Sequence, residues 1–474
     1  MGTDITSFYI YRFRYIIGYT LIGILLIGLL VYAGLYTPGG ISTAEMSTVV
    51  NSSNVAFSDI HSFAVPNLPY LLLQKTSIHF LGVSDFSIKL PSIILSFVTA
   101  IGLLVLLRRW FKPNIAVLAS IIAVTTGQFL FIAQDGTPGI MYVLWSVLLL
   151  LLGTLIANRA RPSLLWKILF FVVGALSLYT PLSIYAMIAM GVAAVLHPHL
   201  RYLVRQMSRP ELFLAFLVGL IIALPIVVGV VQSPQLGLTM LGIPSSLPDF
   251  LDNGSLLLKQ YFYFSSPSTT GLMTPVFGLG SMIIILLGAY KLFKTRQSTQ
   301  SYLTIIWLLC LIPILITNPS FTSITFLPLV LLLAIGLDSL LNYWYRLFPR
   351  NPYARIGGLI PLVILVSALV ISGLGRYVYG YTYDPNTVAN FSKDLTLLPK
   401  DIPRLVVGTS ELDFYQVVAK YRQGLSVSLV ASGDSFTATR LANSQYDGYK
   451  VNKIITSSSV SNADRFYIYK KIAD

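Results

Sequence analysis

The sequence predicts a polytopic α-helical membrane protein with about eleven transmembrane helices, outer interfacial helices and a small C-terminal α/β extracytoplasmic domain. Three observations support this fold class: 55% of the 474 residues are apolar, only 11% are charged, and the mean hydropathy is +0.76. These values lie outside the range of soluble globular domains. Apolar runs long enough to cross a hydrocarbon core of about 30 Å recur along the chain.

The apolar runs define the predicted spans. The first, residues 15–36, follows Arg12 and Arg14 and exceeds the roughly 7–15 apolar residues of a signal-peptide core, so we interpret it as a retained span. The other long runs are 88–107, 114–133, 139–157, 212–232, 273–290, 302–318, 322–341 and 358–375. Between 139–157 and 212–232 we expect two shorter helices hinged at Tyr179-Thr180-Pro181, because a proline disfavours helix at the residue before it.

The distribution of Lys and Arg predicts the orientation, since these residues accumulate in cytoplasmic loops. With the N-terminus inside, 17 of the 21 Lys and Arg before residue 377 lie on the cytoplasmic side, and only Lys75, Lys89, Lys259 and Arg376 fall elsewhere. We therefore predict a multi-pass plasma-membrane protein with a cytoplasmic N-terminus and an extracytoplasmic C-terminal domain. The net charge of +14 mostly reflects this bias, and the excess of basic residues suits contact with anionic membrane lipid. Nothing in the sequence indicates nucleic-acid binding.

Two domains are expected. Residues 1–376 form the membrane domain, with long outer loops at about 37–87 and about 233–272, and residues 377–474 form the extracytoplasmic domain. LPYLLLQKTSIHFLG in the first loop predicts an interfacial helix, and SLPDFLDNGSLLLKQYFYF in the second predicts another.

The C-terminal domain is predicted to alternate strands and helices. RLVVGT, VSLVAS, KIITSS and RFYIYKKI favour strands, and SELDFYQVVAKYRQ and DSFTATRLAN favour helices. Such alternation is typical of a small α/β domain with a partly parallel sheet. The domain contains no glycine-rich phosphate loop, so a structural or partner-docking role is favoured.

Acidic residues of the membrane domain concentrate on the predicted outer side. These are Glu45, Asp59, Asp85, Asp135, Asp249 and Asp252. No acid before residue 377 is expected near the middle of a span, which argues against a proton- or ion-coupled transporter. Any acid–base chemistry is therefore expected at the outer edge of the membrane. The four histidines and the one cysteine have no zinc-site spacing, so no metal ligands are predicted.

GVSDFSIKLPSIILSFVTAIGLLVLLRRWF, residues 82–111, resembles the end of the first outer loop and the second span of membrane-embedded GT-C glycosyltransferases. The similar branch includes protein O-mannosyltransferases and the lipid A aminoarabinose transferase. The resemblance implies transfer of a sugar from a polyprenyl-phosphate carrier to a protein, lipid or glycan acceptor at the outer face. It also implies an outer-loop carboxylate as general base and basic side chains that stabilise the departing lipid phosphate.

The sequence departs from this family at the position of its acidic pair. The family usually carries Asp-Glu shortly after the first span, followed by Ala-Glu; when that Ala-Glu is aligned with Ala44-Glu45 in PGGISTAEM, Gly39 and Gly40 occupy the positions of the pair. In AQDGTPGIM, Gly139 stands where a second acid is expected, and Asp135 lies four residues earlier. Loss of the pair disfavours a divalent cation, which needs several oxygen ligands, and no other cofactor is predicted.

The resemblance makes Glu45, Asp135 and Asp59 the candidate catalytic acids. Each has a structural alternative: Glu45 also complements a helix dipole, Asp135 also begins a turn, and Asp59 also fits a solvated loop. The candidate substrate-binding residues are the outer cations and histidines, which either contact the donor phosphate or anchor helices at the interface. They are Lys75, His79, His61, Lys259 and Arg376.

Three functions remain open from the sequence. The first is a polyprenyl-phosphate-dependent glycosyltransferase with a displaced set of acids. The second is a catalytically impaired relative that binds the lipid carrier or serves as a scaffold for a partner enzyme. The third is a glycolipid transporter without proton coupling, which the long outer loops and the outer domain disfavour.

Overall fold

The structure is a computed structural model of the chain. It describes residues 20, 23–24, 26–32, 40–56, 63–158, 161–244, 246, 248–262, 276–347, 357, 359–383, 390–399, 401–456 and 464–472. The described residues of the first predicted span, between 20 and 32, are helical. The remaining α-helices are, in order, α1 (Thr43–Asn54), α2 (Leu68–Leu81), α3 (Asp85–Trp110), α4 (Pro113–Val124), α5 (Gly127–Gln134), α6 (Gly139–Ala157), α7 (Ser163–Ser177), α8 (Ile184–Leu196), α9 (Pro198–Arg205), α10 (Arg209–Gln232), α11 (Pro234–Leu241), α12 (Phe250–Phe262), α13 (Leu279–Lys294), α14 (Thr299–Thr317), α15 (Phe326–Leu347), α16 (Leu359–Tyr383) and α17 (Leu412–Tyr421).

The helical membrane fold is confirmed, although the count of eleven spans is not. Within the described ranges, six helices are long and apolar enough to cross a membrane, and two bent pairs bring that number to eight if each pair is one span. The bent pairs are α4 with α5, at 62°, and α8 with α9, at 93°. The helices predicted in the two outer loops are present as α2 and α12.

The predicted span 114–133 is broken at Thr125-Thr126. The Thr125 hydroxyl donates to the Ile121 carbonyl at 2.8 Å, and the Thr126 hydroxyl donates to Ala123 at 2.7 Å. Threonine side chains that bond to the preceding turn bend helices. The Thr126 hydroxyl also accepts from the Phe129 backbone N–H at 3.3 Å and so begins α5. The bend decides where α5 ends and therefore where Asp135 lies.

The hinge predicted at Tyr179-Thr180-Pro181 is present. Helix α7 ends at Ser177 and α8 begins at Ile184, with Leu182 at a φ of 65° in the turn between them. The carbonyl of Tyr179 accepts from the Asn67 backbone N–H at 2.7 Å, so the start of α2 is tied to this hinge.

Helices α13 and α15 pack backbone to backbone through glycines. A Cβ on Gly288 would lie 1.9 Å from the carbonyl oxygen of Leu332, and a Cβ on Gly336 would lie 2.1 Å from that of Ile284. Small residues allow such close approach in membrane helices, where dispersion contacts replace the hydrophobic driving force.

The C-terminal region holds a five-stranded sheet in the order β2-β1-β3-β5-β4. Its strands are β1 (Arg404–Val406), β2 (Ser426–Ser428), β3 (Ser435–Thr439), β4 (Tyr449–Thr456) and β5 (Arg465–Lys471). Strand β1 is parallel to β2 and β3, and β5 is antiparallel to β3 and β4. The predicted partly parallel sheet is confirmed.

One element of this sheet was predicted wrongly. DSFTATRLAN was interpreted as a helix, whereas its residues Ser435–Thr439 form β3 at the centre of the sheet. Four of these five residues are buried, including Phe436 and Thr437. Aromatic and β-branched residues fit a pleated buried surface, and this tertiary preference overrides a weak local helical pattern.

The C-terminal region packs directly on the loop predicted to be the first outer loop. Ile41 and Lys393 form an antiparallel β-bridge, with the Ile41 N–H donating to the Lys393 carbonyl at 2.6 Å. One apolar cluster joins Met46 and Val49 of α1 to Leu405 and Phe414 of the C-terminal region. The loop that carries Glu45 is therefore covered by the sheet domain.

Candidate functional site

Glu45 lies in the first turn of α1 and is fully buried. The sequence STAE forms a capping box: the Ser42 hydroxyl accepts from the Glu45 N–H at 3.1 Å, and Glu45 Oε2 accepts from the Ser42 N–H at 2.7 Å. The second carboxylate oxygen, Oε1, accepts from the Gly136 N–H at 2.6 Å. Glu45 thus joins the first outer loop to the segment that follows α5.

Asp135 follows α5 and is only 9% exposed. Its Oδ2 accepts from the Thr137 hydroxyl, and its carbonyl accepts from the Ser92 hydroxyl, both at 2.5 Å. Burial, together with the nearby charge of Glu45, raises the pKa of Asp135 to about 7 against the opposing effects of Thr137 and Lys89. Two of the three predicted catalytic acids are therefore neighbours.

The glycine between these contacts is required by packing. A Cβ on Gly136 would lie 2.7 Å from Ile88 Cγ2 and 3.0 Å from Glu45 Oε1. A contact below 3 Å forces a neighbour to move, so any larger residue here would separate the two acids. Gly136, which the sequence predicted as part of a turn, allows the segment that carries Asp135 to approach Glu45.

Two side chains of α2 fix this junction and were missed from the sequence. Gln74 donates through Nε2 to the carbonyls of Gly136, at 3.0 Å, and Ile88, at 3.2 Å. The Tyr70 hydroxyl lies 2.8 Å from the Ser92 hydroxyl, which in turn donates to Asp135. Tyr70 and Gln74 are four residues apart on one helix face, and that spacing of polar groups in an apolar helix was the available signal.

Glu45, Asp85 and Asp135 form an acid cluster. Lys89 is the positively charged residue beside them and is 1% exposed. Its Nζ donates to the Gly40 carbonyl at 2.9 Å and lies 5.6 Å from the centre of the Phe391 ring. Its charge acts on Asp85, one turn earlier on α3, and on Asp135. Lys89 is the basic residue directly before Leu-Pro-Ser in the stretch that carries the family resemblance. That motif was the sequence signal for Lys89.

Gly40, at one position of the expected acidic pair, is in contact with the C-terminal region. A Cβ there would lie 2.2 Å from the Phe391 carbonyl oxygen and 2.8 Å from that of Lys393. Lys393 forms a buried ion pair with Glu411. The space that an acid would use is thus filled by backbone of residues 391–393, while Gly39 lies outside the described residues.

The other predicted site residues are spread over the molecule. Asp59 and His61 lie outside the described residues. Lys75 is half-buried on α2 and donates to the Val55 carbonyl, whereas His79, one turn further, is exposed with its ring 5.4 Å from that of Phe80. Among the predicted binding residues that the structure describes, only Lys75 is thereby placed beside α1.

Lys259 and Arg376 lie on other elements. Lys259 is exposed on α12, whose Asn253 donates to the Ile316 carbonyl of α14 at 2.9 Å. Arg376, on α16, lines a cavity of about 30 Å³ together with Gly127 at the start of α5. Asp135 follows the other end of α5, which at about 1.5 Å per residue is roughly 12 Å long, so Arg376 is not brought to the acids.

A cavity of about 330 Å³ opens beside the acid pair. Thr48, one turn after Glu45, and Pro138, three residues after Asp135, line it, as does Val55, whose carbonyl accepts from Lys75. Its other polar lining consists of amides, and neither carboxylate reaches its surface. These are Asn51, Asn54 and Asn67. In the part of the chain that the structure describes, no three His, Cys, Asp or Glu side chains are placed to hold a metal ion.

Comparison with solved structures identifies the fold. ArnT from Cupriavidus metallidurans bound to undecaprenyl phosphate matches with a TM-score of 0.55 at 11% identity, over 96% of this chain and 98% of that one. The apo state of the same protein matches with a TM-score of 0.54 at 11% identity, over 98% of both chains. The Archaeoglobus fulgidus oligosaccharyltransferase in its apo form matches with a TM-score of 0.50 at 12% identity, over 85% of this chain and 64% of that one. The fold is that of the GT-C membrane glycosyltransferases.

A protein-family model matches part of the chain. Residues 66–228, from the start of α2 to near the end of α10, match the family model of dolichyl-phosphate-mannose-protein mannosyltransferases. This match and the shared fold agree with the resemblance of residues 82–111 to GT-C glycosyltransferases, and the apolar helices are those of a multi-pass membrane protein. No curated protein sequence matches it.

Proposed function

We propose that this protein is a membrane glycosyltransferase that moves a sugar from a polyprenyl-phosphate carrier to an acceptor on the outer face of the membrane. One observation carries the proposal: Glu45 of the first outer loop and Asp135 after α5 meet at a single buried junction beside a cavity. The undecaprenyl phosphate bound to ArnT supports a polyprenyl-phosphate donor.

We assign the general base to Asp135. A base works best with a pKa near the operating pH, and burial with the adjacent Glu45 charge raises the pKa of Asp135 to about 7. Glu45 is a positioning residue, because both of its oxygens accept from backbone N–H groups while its charge tunes Asp135. Small movements at Pro138 and Thr48 would open the junction to an acceptor in the cavity. Asp59 stays a predicted additional acid.

The cavity favours an uncharged sugar. Its polar lining is one threonine and three asparagines, and amide groups donate to and accept from hydroxyls without selecting for charge. Lys75 contacts the wall at Val55 and is the proposed partner of the departing phosphate. Roles for His61, His79, Lys259 and Arg376 in carrier binding stay predictions, as do the plasma-membrane location and the orientation of the termini.

A transfer assay tests the proposal. The purified chain, reconstituted in liposomes, is given polyprenyl-phosphate-linked neutral sugars and scored for release of polyprenyl phosphate. Removing a general base costs about 10²–10⁴-fold, so Asp135→Asn should lose at least about a hundredfold in rate. Glu45→Gln should shift the pH profile to lower pH, because the charge that raises the pKa of Asp135 is gone. Asp252→Asn, at an exposed acid in α12, is the matched control.

Equal rates in wild type, Asp135→Asn and Glu45→Gln would show that the assigned site is wrong even though transfer occurs. The second candidate function is a catalytically inactive relative that binds the lipid carrier, and the filled position at Gly40 favours it. That function predicts saturable binding of polyprenyl phosphate by the wild type with no turnover of any lipid-linked sugar.

A further inference from the structure

A second, larger cavity of about 540 Å³ lies at the opposite end of the helix bundle. Helix α3 begins at Asp85 in the acid cluster and ends at Trp110, which lines this cavity. Its 26 residues, at about 1.5 Å each, extend for roughly 39 Å, which exceeds the hydrocarbon core of about 30 Å. The cavity is therefore at the other membrane surface from the acids, on the predicted cytoplasmic side.

The walls of this cavity are apolar and adaptable. Helices α6, α7 and α8 contribute most of them, including Phe170 and Phe171. Three methionines also line it, and this unbranched side chain fills irregular space around different ligands. These are Met187, Met190 and Met207. A soluble nucleotide or sugar would find few hydrogen-bonding partners in this cavity, whereas a hydrocarbon chain would pack against its apolar walls.

Helix α9 lies across the cavity. The chain turns by 93° between α8 and α9, at His197-Pro198. Leu200 and Leu203 of α9 line the cavity, while Tyr202 between them is 58% exposed. An amphipathic helix turned across the bundle is typical of one lying in the membrane interface, with its apolar face toward hydrocarbon.

The rim of the cavity is cationic. Arg109 at the end of α3 and His199 of α9 are both exposed and both line it. Lys167 also lines it and pairs with Glu211 at 2.6 Å. Over the stretches that the structure describes, the lining includes no carboxylate, so the electrostatic preference of the rim is for an anion.

We propose that this cavity binds an anionic glycerophospholipid, with an acyl chain between α6, α7 and α8 and its phosphate at Arg109 and His199. The volume falls within the roughly 300–1,000 Å³ of ligand sites, which suits an acyl chain better than a long polyprenyl chain. The site is separate from the acid cluster, and its occupancy does not depend on the proposed transferase activity.

The test measures lipid retained by the delipidated, purified full chain, using native mass spectrometry with phosphatidylglycerol, phosphatidylcholine and undecaprenyl phosphate in parallel. Gly191 lines the cavity, and a Cβ there would meet no atom within 4 Å, so Gly191→Leu fills the space without displacing a neighbour. Gly28→Leu is the matched control, since Gly28 is exposed on the first predicted span and a Cβ there also meets nothing within 4 Å.

We expect Gly191→Leu to lower phosphatidylglycerol binding at least tenfold, with Gly28→Leu unchanged and both variants retaining wild-type thermal stability. A cation near a membrane surface contributes about a fivefold preference for anionic lipid. Arg109→Gln should therefore weaken the binding of phosphatidylglycerol by about that factor and leave the binding of phosphatidylcholine unchanged. Equal binding of both phospholipids to the wild type would overturn the assignment. So would full binding by Gly191→Leu, or undecaprenyl phosphate displacing phosphatidylglycerol and showing the same loss in the variants.

Discussion

Asp135→Asn is expected to remove part of a pH-dependent loss of stability in this protein, to which Asp85 and Asp464 also contribute because burial raises their pKa values. Burial and the Glu45 charge raise the pKa of Asp135 from 3.8 to about 7 in the folded chain. An acid whose folded pKa is raised takes up a proton on folding between these two values. Its contribution to stability is therefore complete below pH 3.8 and is lost as the pH rises through 7.

The size of this effect follows from the shift. Each pKa unit corresponds to about 1.4 kcal/mol, so a shift of roughly three units amounts to at most about 4 kcal/mol between acidic pH and pH 7. Above pH 7 Asp135 is ionised in both the folded and the unfolded chain, and its contribution to the dependence on pH becomes flat. The asparagine keeps the shape of Asp135 and its contact with Thr137 but carries no charge.

The measurement is thermal unfolding of the purified protein in one detergent from pH 4.5 to pH 8.5. Wild type should lose stability across pH 4.5–7, and Asp135→Asn should show a flatter profile and exceed wild type at pH 8. Asp252→Asn, at an exposed acid, should follow wild type. Parallel profiles for wild type and Asp135→Asn would refute the reasoning, because they would show that Asp135 is ionised without cost.

Three further changes test the packing around the site. Gly40→Ala should lower the melting temperature and expose residues 391–393 to protease, because the new Cβ would overlap two backbone carbonyls, whereas Gly375→Ala, with open space at its Cβ, should do neither. Lys89→Met should lower the melting temperature, because the Gly40 carbonyl loses its donor and Asp85 and Asp135 lose a nearby positive charge, and adding Asp135→Asn should recover part of that loss in a double-mutant cycle. Gly336→Leu should prevent recovery of a monodisperse protein on size exclusion, since α15 could no longer approach α13; normal folding of that variant would contradict the backbone contact.

Much of the fold was accessible from the sequence because membrane burial leaves a strong local signal. The apolar runs predicted most of the long helices, the Tyr179-Thr180-Pro181 hinge was predicted from its proline, and helices were predicted in the two loops that hold α2 and α12; these elements are present, whereas the count of eleven spans is not confirmed. The break at Thr125-Thr126 was missed because hydropathy reports the composition of a segment and gives no information on whether its helix axis changes direction. Strand β3 was missed because its central place in the sheet comes from pairing with distant strands.

Two acids of the candidate site were predicted from the sequence, whereas the residues that hold them and the arrangement of the site were not. Glu45 and Asp135 could be selected as outer acids from charge and topology alone. Gln74, Tyr70 and Lys89 appear in the sequence as scattered polar residues, and only their contacts show that they hold the two acids in place.

PGGISTAEM shows the division most clearly. Its sequence contains the Ser42-to-Glu45 spacing of the capping box that the structure shows, and the resemblance to GT-C glycosyltransferases implies that two glycines stand where an acidic pair is expected. The sequence does not show which distant residues Glu45 and Gly40 contact. Glu45 reaches the Gly136 N–H, and Gly40 faces the carbonyls of residues 391–393, because folding brings three remote segments to one buried point. Local pattern determines which groups need partners, and the packing of distant segments determines which partners they receive.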